Sequence, residues 1–124
     1  MTKYKASNIF ISLKFAIRGL MLALKSQRNF RADLFIGTGV IIAAILLKLS
    51  TVELAILVLT IGFMLFAELI NTVIEFVIDA YFGNKYSILA KMAKDISAGA
   101  VFISAITATV VGVLIFWPKL INLI

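Results

Sequence analysis

From Thr51 to Phe82 the chain is almost wholly apolar: it contains no proline, and its only charged residues are Glu53, Glu68, Glu75 and Asp79. A run of roughly 30 residues makes a helix about 45 Å long, well beyond the ~30 Å hydrocarbon core of a bilayer. One end of such a helix has to leave the oil for the headgroup layer. Ser50-Thr51-Val52-Glu53 has the form of a capping box that starts the helix, so the emerging end is the one that bears Glu68 to Asp79. Composition leaves no soluble alternative. Hydrophobic residues make up 63% and charged residues 15% of the 124 positions, against about half and about a quarter in soluble domains. One domain of this length has too little interior to bury the excess.

The expected architecture is a single all-α integral membrane domain over residues 1–124. Residues 3–25 read as a basic amphipathic helix, with Ile9, Leu13, Ile17, Leu20 and Leu24 on one arc and Lys14, Arg18 and Lys25 beside it. Charges recur inside this segment and no small-residue cleavage site follows, unlike a secretory signal; a helix lying on the bilayer fits. Polar Ser26 to Asp33 is expected to be a turn that closes this surface unit, 1–31. Spans are expected over 33–49, 51–82 and 88–117, with Gly83 to Ser87 as a loop and Pro118 ending the last span. Ser97, Ala100, Ser104 and Ala108 form a small-residue stripe suited to close helix packing.

Orientation follows from the cations. Lys3, Lys5, Lys14, Arg18, Lys25, Arg28 and Arg31 precede the first span, and Lys85, Lys91 and Lys94 flank the second loop, whereas the other side carries only Lys48 and Lys119. The positive-inside rule places the N-terminus and the polar end of the second span in the cytoplasm and the C-terminus outside, in a multi-pass cell-membrane protein. The net charge of +6 lies mostly ahead of the first span, and the cations are not interleaved with aromatics on a soluble face, so anionic lipid accounts for it and no nucleic-acid partner is expected. Cysteine and histidine are both absent, which removes disulfides, thiolate metal sites and Cys- or Ser–His nucleophiles. Acid–base chemistry falls to carboxylates, lysines and tyrosines.

On a helix, Glu68, Asn71, Thr72, Glu75 and Asp79 share an arc of about 100°. Glu68 and Glu75 stand two turns apart, roughly 10 Å, too far to share a proton but able to serve different atoms of one substrate. Lys94 and Asp95 open the third span just across the loop. Such a set suits phosphoryl transfer: one carboxylate takes the proton of an attacking hydroxyl, another holds a metal ion, and a lysine offsets phosphate charge. No glycine-rich phosphate loop accompanies it. The same residues also fit plainer roles, namely a structural or proton-relay carboxylate at Glu68, interhelical hydrogen bonds from Asn71 and Thr72, and an interfacial ion pair between Asp79 and Lys94.

Ala67 to Asp79, AELINTVIEFVID, resembles the signature E-x-x-N-[ST]-x-x-E-x-x-x-D of the small prokaryotic diacylglycerol kinases. Ala90 to Val101, AKMAKDISAGAV, resembles the A-K-D element of that family. Arg28 to Arg31, RNFR, is similar to the element before the first span in the branch that includes undecaprenol kinases, and Arg18-Gly19-Leu20 also matches. The resemblance implies an integral membrane lipid kinase with one surface helix and three spans, assembled as a homotrimer with active sites shared between subunits. It implies transfer of the γ-phosphate of MgATP to a lipid hydroxyl. Carried over, Glu68 is the general base in contact with the lipid, Glu75 a Mg²⁺ ligand and nucleotide contact, and Asn71 a positioning residue at the nucleotide. Lys94, Asp95 and Tyr86 correspond to nucleotide-binding positions, and Arg31 and Arg18 to lipid-binding ones.

Two departures accompany the match. The family's second metal carboxylate aligns with Gln27, whose amide oxygen can bind a cation but offsets less of its charge. A Tyr-His pair in the family's loop is Tyr86-Ser87 here. Diacylglycerol is the expected lipid, giving phosphatidic acid, with undecaprenol as the alternative that RNFR favours. The non-enzyme alternative is a proton- or ion-translocating subunit with Glu68 as its relay, which has no use for Asn71, Glu75, Lys94 and Asp95 gathered at one end.

Overall fold

The computed structural model describes residues 7–124, and the described residues form four helices and no strand: α1 (Ile9–Ser26), α2 (Arg28–Leu46), α3 (Thr51–Phe82) and α4 (Ile88–Ile121). The last three are long and apolar enough to cross a membrane, with 19, 32 and 34 residues. At 1.5 Å per residue they measure about 28, 48 and 51 Å, so α3 and α4 overrun a ~30 Å core that α2 barely fills. Phe35, Leu46, Leu59, Ile96, Phe102 and Leu114 are all exposed in the single chain, which suits helices covered by lipid or by another subunit.

The surface helix starts at Ile9, later than expected. Asn8 is extended and its side-chain oxygen accepts the Ile11 N–H at 3.0 Å, a cap that sets the first turn. Residues 3–6 of the expected helix lie outside the described residues. The expected turn over Ser26–Asp33 is absent: Gln27 alone leaves helical geometry, and α2 begins at Arg28, not at 33. The segment is polar but holds neither glycine nor proline to stop a helix. Arg31 stabilises the break, its Nη1 donating to the carbonyls of Leu24 and Lys25 at 2.7 and 3.1 Å, which the end of α1 would otherwise leave unpaired.

The first span also ends at Leu46, not at 49. It closes in a Schellman motif, with the Leu49 N–H on the Ala44 carbonyl and the Lys48 N–H on the Ile45 carbonyl, both at 3.1 Å. Lys48 takes φ +56° to do so, at a cost of about 1–2 kcal/mol for a residue with a Cβ. Burial of Leu49 in one cluster with Ala44 offsets it. Pro118, expected to end the third span, lies inside α4, which continues to Ile121. A proline this close to the terminus removes one donor, and its own carbonyl still accepts the Asn122 N–H at 3.2 Å.

Packing runs in sequence order, α1 on α2, α2 on α3 and α3 on α4. Ala44, Leu49, Leu57 and Ile115 form the apolar core at one end, near the Ser50 cap. That cap is a complete capping box, Ser50 Oγ accepting the Glu53 N–H at 3.1 Å and Glu53 Oε1 accepting the Ser50 N–H at 3.0 Å. Gly37 lets α2 approach α3, since a Cβ there would stand 2.8 Å from Ile61 Cγ2. At the opposite end Gly83 takes φ +59° and turns the chain towards Ser87, which caps α4.

Candidate functional site

Counted from Thr51, the first residue after the Ser50 cap, at 1.5 Å per residue, Glu68 lies roughly 26 Å along α3, Glu75 about 36 Å and Asp79 about 42 Å. With the cap at one face of a ~30 Å core, Glu68 sits just inside the other face and the remaining carboxylates lie beyond it. Glu68 is buried, 3% exposed. Asn29 of α2 hydrogen-bonds its carboxyl, and Asp33 of the same helix is near enough to act on its charge. Thr72, on the same face, is committed locally, its Oγ1 donating to the Glu68 carbonyl at 2.9 Å.

One turn on, Asn71 joins two helices. Its Nδ2 donates to Glu75 Oε1 at 3.2 Å, and its Oδ1 accepts from Ser97 Oγ of α4 at 2.7 Å. Beyond it Lys94 Nζ meets Asp79 Oδ1 at 2.6 Å, the interfacial ion pair that helical spacing allowed. Lys91 Nζ meets Asp95 Oδ2, also at 2.6 Å. All four of these side chains are between 42% and 64% exposed, so each pair contributes at most about 1 kcal/mol and can yield to a competing anion. With Lys85 and exposed Tyr86 they line a cavity of about 280 Å³ at the α3–α4 turn. Lysine ammoniums and an aromatic ring around such a cavity suit a phosphate chain and a flat base. On the membrane side, Asn71 and Ser97 line an apolar groove of about 430 Å³ walled by Phe63, Phe66, Ile70 and Ile96.

Asn71, Glu75, Lys94, Asp95 and Tyr86 thus lie along the α3–α4 pair, and Glu68 follows one turn back on α3, against α2. Gln27, Arg31 and Arg18 are engaged elsewhere. Gln27 Nε2 donates to Ser26 Oγ at 3.3 Å. Arg31 clamps the end of α1 and heads a groove of about 550 Å³ beside Leu34, Phe35 and Thr38. The Arg18 guanidinium lies 5.8 Å from the Phe15 ring centre.

Sequence reasoning passed over Asn29, Asp33, Lys91 and Ser97. Asp33 had a usable signal, a carboxylate inside a span, and Lys91 stands at i,i+4 spacing from Asp95. Ser97 had none, because a serine in a small-residue stripe reads as packing. Among the described residues no three carboxylates gather as a ready metal cage.

Residues 14–116 match the family model described as prokaryotic diacylglycerol kinase. The chain is 43% identical over 118 residues to a diacylglycerol kinase from a Synechocystis species, a match covering 95% of this chain and 67% of that protein. To the undecaprenol kinase of Bacillus subtilis it is 40% identical over 114 residues, covering 92% of each. The diacylglycerol kinase of Escherichia coli is more distant, 26% identical over 106 residues, with 83% of this chain and 84% of that one covered.

Proposed function

The chain belongs to the prokaryotic diacylglycerol kinase family and is a membrane lipid kinase, and we propose that it phosphorylates diacylglycerol with ATP, giving phosphatidic acid and ADP. The observation that carries this is the polar face of α3, which runs from a buried carboxyl at Glu68 past Asn71 and Glu75 to the exposed lysines at the α3–α4 turn. A lipid hydroxyl arriving from the bilayer meets Glu68 first, and a nucleotide arriving from water meets Lys94, Asp95 and Tyr86. The cation distribution supports a cytoplasmic position for that end and for the N-terminus in the cell membrane, where ATP is available.

In the transfer, the proton of the lipid hydroxyl passes to the Glu68 carboxylate and the hydroxyl oxygen bonds to the γ-phosphorus. The bond from that phosphorus to the β,γ-bridging oxygen breaks, and ADP leaves. Lys94 leaves Asp79 for the phosphate oxygens, an exchange that two half-exposed partners permit at low cost. Arg31 and Arg18 hold the interfacial part of the lipid; Arg31 can do so while clamped, because the guanidinium has more donors than the one nitrogen already committed.

The donor set fits Mg²⁺. This ion ordinarily takes one or two carboxylates and completes its shell with nucleotide phosphates and water, so the Glu75 carboxylate and the Gln27 amide oxygen suffice without a closed cage. When bound, the ion neutralises charge on the β- and γ-phosphates. The working unit is a homotrimer in which the Gln27–Arg31 corner of one subunit completes the α3–α4 edge of another. In support, the spans leave large apolar faces uncovered in the single chain.

Undecaprenol is the second reading, favoured by the Arg28–Arg31 element and by the 40% identity across 92% of the undecaprenol kinase. Radiolabelled ATP supplied to the purified protein in mixed micelles with each lipid separates the two. A higher kcat/KM with diacylglycerol supports the proposal, and labelled product from undecaprenol alone overturns the choice of lipid.

A further inference from the structure

Inside the spanning helices the hydroxyls of Thr38, Thr60, Thr72, Ser104, Thr107 and Thr109 all donate to carbonyls three or four residues back on their own helix, at 2.6–2.9 Å. That is the usual resting state of a hydroxyl on a helix in lipid. Ser97 departs from it. Its Oγ reaches across to α3 and donates to Asn71 Oδ1 at 2.7 Å, while the other end of that amide donates to Glu75 Oε1 at 3.2 Å. We propose that Ser97 is a positioning residue for the nucleotide end of the site: by anchoring the Asn71 side chain between the two helices, it holds the Glu75 carboxylate in its working orientation.

The polarity of the chain Ser97–Asn71–Glu75 follows from its donors and acceptors. Turned over, the amide would set its oxygen against a carboxylate oxygen, two acceptors with no proton between them. The acceptor-only carboxylate of Glu75 thus decides which end of the amide faces it, and the Ser97 hydroxyl, by donating to Oδ1, pins the amide in that setting. Without that hydroxyl, Oδ1 faces a groove walled by Phe66, Ile70 and Ile96, with nothing to satisfy it. An amide so placed rotates towards other donors and releases Glu75. The hydrogen bond also crosses from α4 to α3, so the setting of Glu75 depends on the packing of the helix that carries Lys94 and Asp95. Hydrogen bonds between membrane helices add little to fold stability on average, so the consequence of this one is orientation.

The inference rests on the reading of Glu75 as a residue that meets the metal–nucleotide complex. The test uses the full-length oligomer and three variants, Ser97→Ala, Ser97→Thr and Glu75→Gln, with Mn²⁺–ATP as the probe in the absence of lipid. Binding is followed by the electron paramagnetic resonance of the ion, and hydrogen exchange of the Asn71 side-chain amide is followed on asparagine-labelled protein. Ser97→Ala is expected to weaken binding about three- to tenfold and to speed exchange of the Asn71 amide by about tenfold or more. Ser97→Thr, which keeps the hydroxyl, is expected to restore both to within about twofold of the parent, with Tm unchanged throughout.

Binding and exchange in Ser97→Ala that coincide with the parent overturn the inference. So do equal losses in the alanine and threonine variants that track a fall in Tm, which would make Ser97 a packing residue. Glu75→Gln separates the layers. If it shifts binding and Ser97→Ala does not, the positioning role alone fails; if it shifts nothing, the reading of Glu75 fails and takes this inference with it.

Discussion

Glu68→Gln keeps the size of the side chain and removes both its charge and its capacity to take a proton. Glu68 is 3% exposed, so a variant of different shape would disturb the packing, and glutamine does not. The variant is therefore expected to insert, assemble and melt as the parent does, within the about 1 kcal/mol that one altered hydrogen bond is worth. Turnover is expected to fall 10²- to 10⁴-fold, on the order of 2.7–5.5 kcal/mol in the barrier, which is what a positioned general base contributes. Glu68→Asp keeps the chemistry but withdraws it by about 1.5 Å, and a misplacement near 1 Å costs on the order of 10²-fold, so it belongs at the upper edge of that range of activities. The assay is transfer of label from ATP to lipid in mixed micelles, with Tm and oligomer size measured on the same preparations. A glutamine variant that keeps more than about a tenth of parental turnover would remove Glu68 as the base, as would a loss of activity that merely follows a loss of assembly.

Glu75→Gln is expected to raise the Mg²⁺ concentration for half-maximal rate by about tenfold or more, and an unchanged Mg²⁺ titration would defeat its assignment as a ligand. Lys94→Met and Asp79→Asn break the same ion pair, whose partners are 42% and 60% exposed, so each should alter stability by less than about 1 kcal/mol. KM for ATP is expected to rise about tenfold in Lys94→Met and much less in Asp79→Asn; equal rises would mark the pair as purely structural. Gly37→Ala places a Cβ 2.8 Å from Ile61 Cγ2, and the forced separation of α2 from α3 is expected to cost about 1–3 kcal/mol. Differential scanning calorimetry would read this as a lower Tm, recovered in part by Ile61→Ala, and an unmoved Tm would argue against the close approach.

Hydropathy shows three spans because a bilayer imposes length and apolarity on each segment separately, without reference to its neighbours. The capping box at Ser50 and Glu53 is equally local, and its hydrogen bonds are present. Helix ends are a different matter. Polar Ser26 to Asp33 marks where the chain leaves the oil, yet the helix is interrupted only at Gln27. Apolar Leu47 and Leu49 continue the pattern of the first span after the helix has ended, because the closure depends on Lys48 at φ +56° and on Leu49 reaching the core. A rule about proline would stop α4 at Trp117, but a single missing donor in the last turn does not end it.

A helix repeats every 3.6 residues, so the order of residues alone puts Glu68, Asn71, Thr72, Glu75 and Asp79 on one face and, from the length of the apolar run, near the edge of the membrane. What stands opposite each of them was decided by the tertiary structure: Asn29 and Asp33 beside Glu68, Ser97 against Asn71, Lys94 against Asp79. Axial register and rotation between two helices are set by side chains meshing along the whole interface, from Leu57 and Ile115 at one end to the Gly83 turn at the other. No periodicity within a single helix carries that information.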